Sequence, residues 1–149
     1  MRKNLLVCQG IAFTILIFLL LITNLKAQQH AVPTSNVDVK APAYTGNIHP
    51  KILFDEAHHN FHKSGGRYKA FADVLENDGY IIIPNEQKIT PQVLSGYDVF
   101  VCSNAFNSEP DSTGRLPTLL AFTADECQYL KRWVLNGGAV WLIADHEPA

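Results

Sequence analysis

Ala139-Val140-Trp141-Leu142-Ile143-Ala144 runs straight into Asp145-His146-Glu147, and Ile52-Leu53-Phe54 runs straight into Asp55-Glu56-Ala57-His58-His59-Asn60-Phe61-His62. Both apolar runs are too short for a buried helix and continuous enough for a strand covered on both faces. Each ends in acids and histidines, and four of the six histidines lie in these two clusters. Polar side chains that follow buried parallel strands stand at the edge where open α/β sheets bind ligands.

Working outward, strand and helix alternate. Lys51–Asp55 reads as strand 1. Tyr68, Phe71, Ala72 and Leu75 recur at helical spacing before Gly79, which predicts a helix over about 66–78. Tyr80–Ile83 reads as strand 2, stopped by Pro84, and Thr90–Leu94 as a short helix. Asp98–Cys102 reads as strand 3. A polar stretch from Asn104 to about Ala121 carries Pro110, Gly114 and Pro117, and its length marks a flap or a poorly ordered loop. Thr123 with Glu126 three residues on is a capping box. Cys127, Leu130, Trp133 and Val134 then read as the inner stripe of the helix that Gly137-Gly138 ends. Ala139–Ala144 is strand 4.

The alternation predicts an α/β fold with a doubly wound parallel sheet, and right-handed crossovers favour the order 2-1-3-4. In that order Glu56, His58, His59, Asn60, Asn104, Asp145 and His146 can meet on one rim as ligand-binding residues. Strand 4 would be left as a bare edge, so the chain is expected to be the front part of a longer protein, C-terminally incomplete at residue 149.

The first residues read as an export signal. Arg2 and Lys3 precede an apolar stretch over Leu5–Leu25, and Leu25-Lys26-Ala27 resembles a small-residue cleavage site. Residues 1–27 are therefore expected to be a signal peptide, with an uncleaved membrane anchor as the alternative. Residues 28–50, with Pro33, Pro42, Gly46 and Pro50, read as a linker, and 51–149 as the domain. The location is periplasmic or extracellular, with membrane contact only through the N-terminal segment. Removing residues 1–27 takes Arg2, Lys3 and Lys26 but no acid, which moves the net charge from −2 to −5. That balance excludes a nucleic-acid partner, which would need a basic face. Cys102 and Cys127 remain, either as two buried thiols or as a bridge.

The clusters allow three chemistries. Mixed carboxylate and imidazole suits a divalent transition metal. The metal candidates are His58, His62, Asp145 and His146, with His58 and His62 on one face if the segment turns helical. A metal-free site for a polar small molecule is the second reading, and a structural polar network is the third. Catalytic candidates are Glu56, His59, Asp145 and His146, a histidine serving as general base. Ser64-Gly65-Gly66-Arg67 lacks the spacing and lysine of a phosphate loop and reads as a turn. Cys102 is followed by Ser103-Asn104-Ala105 with no glycine, which argues against a thiol nucleophile on a sharp elbow.

Ile52 to His62, Gly79-Tyr80, Tyr97-Asp98-Val99, Ser103-Asn104-Ala105, and Trp133-Val134 with Gly137-Gly138 through His146 together resemble an uncharacterised group of bacterial domains. That group is related to the class I glutamine amidotransferase-like fold, a flavodoxin-like sheet. The resemblance covers about residues 48–149. It implies the fold and the place of the site but not glutamine hydrolysis, because Asp145 stands where active relatives carry a cysteine. An outline similar to trehalose-utilisation domains hints at sugars. The expectation is an exported module that binds a polar small molecule such as a carbohydrate without a catalytic cysteine. The alternatives are a metal-dependent hydrolase and an envelope protein-interaction module.

Overall fold

The computed structural model describes residues 38–107 and 119–144, all within one compact unit, Ala31–Ala149. The expected signal peptide (residues 1–27), most of the polar stretch 104–121, and Asp145 and His146 lie outside the described residues. Among those described, no helix is long and apolar enough to cross a membrane.

Four strands form one parallel sheet in the order β2-β1-β3-β4: β1 Lys51–Asp55, β2 Ile81–Asn85, β3 Val99–Ser103 and β4 Ala139–Ile143. The expected order 2-1-3-4 is the observed one, a layout consistent with a flavodoxin-like sheet. Register sets Ile52 against Val99, Phe54 against Val101 and Ser103 against Ile143. Period-two alternation sorts the strand side chains onto two faces. Ile52, Phe54 and Val101 pack with Tyr68, Phe71 and Leu75, residues in and just before helix α1 (Lys69–Asn77). Leu53, Phe100 and Cys102 pack with Val93 of the short helix α2 (Pro91–Leu94) and with Tyr129, Leu130 and Trp133 of α3 (Ala124–Leu135). Phe54, Phe100 and Val101 are fully buried.

Local chemistry places the boundaries. β2 continues through Pro84, paired with Phe54, instead of stopping before it. Among the described strands β2 is an edge, where a missing N–H leaves no ladder bond unmade. α1 begins at Lys69 and not near 66, because the Lys63–Tyr68 stretch is a turn closed by Gly66 N–H and Tyr68 N–H to the Lys63 carbonyl. The α3 capping box forms as expected: Thr123 Oγ1 accepts from the Glu126 amide, and the Glu126 carboxylate accepts from the Thr123 amide.

The inner stripe of α3 is shifted by one residue. Glu126 is buried while Cys127 is exposed and Val134 is 42% exposed. Glu126, Tyr129, Leu130 and Trp133 face inward, because Glu126 has polar partners inside and Cys127 gains nothing there. Cys102 and Cys127 are both free, so there is no bridge between them, and only Cys102 is buried.

Part of the expected linker is docked. Ala43 N–H donates to Asp78 Oδ1 at 2.7 Å, Tyr44 N–H donates to the Asp78 carbonyl, and the Tyr44 and Tyr80 rings meet edge to face. Gly79 makes this possible. Its φ is +97°, and a Cβ there would overlap the Tyr44 carbonyl oxygen.

Candidate functional site

The carboxyl end of β1 delivers Asp55 into the interior, with no exposed surface. A buried carboxylate is tolerated only when donors surround it, and four side chains supply them. His58 Nδ1 lies 3.0 and 2.8 Å from its two oxygens. Asn60 Nδ2 and the Cys102 thiol donate to Oδ2 at 3.1 and 3.4 Å, and Asn85 Nδ2 donates to Oδ1 at 3.4 Å. The four donors come from three places: His58 and Asn60 from the loop after β1, Asn85 from the end of β2, and Cys102 from β3.

The other nitrogen of His58, Nε2, faces Glu126 Oε1 at 3.0 Å across 68 residues of sequence. Glu126 also accepts the Ile89 amide at 3.1 Å and the Thr123 hydroxyl at 2.7 Å. One glutamate thus caps α3, holds the turn before α2 and meets the loop after β1. Phe122 lies against the His58 ring, centroids 4.5 Å apart. Among the described residues no buried side-chain N or O lacks a hydrogen-bond partner.

The electrostatics follow from these contacts. Burial alone would lower the His58 pKa, but the hydrogen bond and charge of Asp55, and then those of Glu126, outweigh it and hold it above 6.5. Burial pushes the Glu126 carboxyl up; hydrogen bonds from the Thr123 amide and hydroxyl, His58 and the Ile89 amide win, holding it at about 2. Burial, then the charge and hydrogen bond of Asp55, push the Cys102 thiol up. A thiol held in its neutral form is a poor nucleophile.

The loops after β1 and β3 are sewn together. Phe61 N–H donates to the Asn104 carbonyl at 3.2 Å, and Phe106 N–H donates to the His58 carbonyl at 2.8 Å. The amide of Asn104 reaches the Ile143 carbonyl at 2.9 Å, so the end of β4 shares this edge. Segment 56–68 is a series of bends and turns, not a helix, so His58 and His62 do not form an i, i+4 pair. His62 Nδ1 instead meets Ser103 Oγ at 3.0 Å, and its ring stacks on Tyr68 with centroids 4.5 Å apart. Glu56 Oε1 accepts the Ser64 amide at 2.9 Å and the Ser64 hydroxyl at 2.6 Å, fixing the turn before α1.

Of the expected ligand-binding residues, His58, Asn60 and Asn104 are therefore buried framework, Glu56 is a half-buried anchor, and His59 is exposed. Asp145 and His146 lie outside the described residues. Both nitrogens of His58 are occupied, and among the described residues no three His, Cys, Asp or Glu side chains are grouped to hold a metal. His59 and Asn104 are the two described non-glycine residues with positive φ, +44° and +46°. They sit in the loops that follow the neighbouring strands β1 and β3.

Sequence reasoning saw Glu126 only as a cap, and it missed Asn85, Cys102, Ser64 and Ser103 as partners. Glu126 left one signal: an acid on the apolar side of an amphipathic helix, which needs a buried cation or donors to sit there. Comparison of the chain with family models, with curated proteins and with solved structures gave no match.

Proposed function

We propose that the rim over the ends of β1 and β3 binds a polar small molecule, with carbohydrates as the favoured class, and does so without thiol catalysis. The domain carrying it is read as an exported, doubly wound, flavodoxin-like module akin to the class I glutamine amidotransferase-like group. One observation supports this most. His59 and Asn104 are both held in left-handed backbone geometry, in adjacent loops, above a fully satisfied polar network. Such geometry is worth about 1–3 kcal/mol of strain per residue and persists where surroundings over-determine it, as at ligand sites. Asn tolerates it best and a histidine less well. The network beneath holds these loops still, so a ligand meets a preformed edge and loses less on ordering. The raised thiol pKa of Cys102 supports the absence of cysteine chemistry.

The test is thermal unfolding of the purified full chain against a panel of neutral sugars and polyols. A ligand at a hundredfold excess over its Kd adds about 2.7 kcal/mol to stability. A saturable rise in Tm that disappears in a folded His59→Ala chain is the expected result. A silent panel, together with a stoichiometric transition metal that is lost on His146→Ala, would replace this reading with the metal-dependent hydrolase.

A further inference from the structure

We infer that His58 is a proton-operated latch that fastens the first turn of α3 to the end of β1. This goes beyond the ligand reading and does not depend on it.

The geometry carries the inference. Asp55 stands 2.8 Å from Nδ1 and Glu126 stands 3.0 Å from Nε2, so a carboxylate faces each ring nitrogen. A neutral imidazole has one N–H and one lone pair; only the imidazolium donates on both sides. The closed arrangement therefore contains one proton that the neutral ring cannot supply. Asp55 engages Nδ1 with both oxygens, whereas Glu126 uses one oxygen and has Thr123 and Ile89 as other donors. On deprotonation the remaining N–H stays toward Asp55. The Nε2 lone pair then faces Glu126 Oε1, and the contact becomes repulsive.

Among the described residues, the titratable groups around the ring are Asp55 from β1, Glu126 from α3, and Cys102 from β3, which acts through Asp55. Toward α2 only the Ile89 amide takes part, through Glu126. The two carboxylates have no proton to give, and Cys102 could supply one only by becoming a buried thiolate beside Asp55. The raised pKa of His58 fits this arrangement.

What the latch holds is specific. Phe122, whose ring lies tilted against His58, belongs with Leu120, Cys102 and Leu142 to the lining of a cavity of about 320 Å3 at the ends of β3 and β4. Releasing Glu126 frees the turn that carries Phe122, so proton loss loosens one wall of this cavity while the sheet stays intact.

Hydrogen exchange of the amides in 119–126, in the full chain between pH 5.5 and 8.5 and corrected for intrinsic rates, tests the latch. One-proton linkage makes opening rise by up to about tenfold per pH unit from near 6.5, levelling off once His58 has titrated. Amides of β1 and β3 stay protected throughout. In Glu126→Gln the side-chain NH2 can stand in the place of Oε1 and donate to a neutral His58, giving up the Ile89 bond at every pH, and the pH dependence disappears. The His58 ring titration, followed by NMR in the wild-type chain, spans the same pH range as the exchange change. Flat exchange in the wild type, a step that persists in a folded Glu126→Gln, or His58 titrating outside that range overturns the latch. If circular dichroism shows Glu126→Gln to be unfolded, agreement or mismatch of the two wild-type curves decides alone.

Discussion

Acid should strip the Glu126 contribution from this fold in a predictable way. Its carboxyl falls from an ordinary 4.5 to about 2 in the folded chain. At about 1.4 kcal/mol per unit, that difference of about 2.5 units is worth about 3 kcal/mol. Because the folded pKa is the lower one, this stability is fully present above 4.5 and is lost as pH falls through about 2. At pH 3 roughly two fifths of it remains. Glu126→Gln removes the ionisable group and keeps one oxygen, enough for the Thr123 donors on Oε2 but not also for the Ile89 amide on Oε1, a loss that is the same at every pH. Urea unfolding of both chains should therefore show a stability gap that narrows by about 2 kcal/mol between pH 5.5 and pH 3. The pH 5.5 reference also keeps His58 charged, since its raised pKa means its contribution is complete below 6.5 and is lost only as pH rises. A gap that is the same at both pH values would show that the buried carboxylate is not held ionised by these donors, and the assigned network would be wrong.

Three further outcomes are expected. In native buffer a maleimide should modify Cys127 quickly, while Cys102 in the Cys127→Ser chain reacts only on unfolding; equal native rates would contradict the burial of Cys102 against Asp55. Gly79→Ala forces a Cβ into the Tyr44 carbonyl at a φ that L-residues resist, so it should lower stability by about 1–3 kcal/mol in denaturant titration, and an unchanged midpoint would mean that segment 43–50 is not docked. His59→Gly removes left-handed strain and should raise the unliganded Tm by an amount equivalent to about 0.5–1 kcal/mol, whereas a lower Tm would mean that the imidazole itself holds the loop.

The sheet was legible because strand signals are local. Ile52-Leu53-Phe54 and Val99-Phe100-Val101 are apolar on both faces, and right-handed crossovers leave few orders for four such strands. The Thr123–Glu126 cap was legible for the same reason, its partners being three residues apart. The second role of Glu126 was not, since its contact with His58 spans 68 residues and no periodicity encodes it. The one-residue error in the α3 stripe has the same origin, because a hydropathy pattern turns an acid outward unless its buried partners are known. The site was legible as a location and only partly as a composition. The loops after β1 and β3 do meet, but their histidines and asparagines face inward more than an acid-and-histidine cluster suggests. His58 and His62 illustrate why: a helical spacing was read where Glu56 and Ser64 build a turn.

Asp55 is shared by four side chains drawn from three strand ends, and this constrains how the sequence can change. Replacing any one of His58, Asn60, Asn85 or Cys102 leaves the carboxylate under-solvated, while replacing Asp55 leaves all four without their common acceptor. Substitutions in this set should be strongly non-additive, so these positions can drift only in concert, and a viable apolar replacement of the cluster would have to arrive nearly whole.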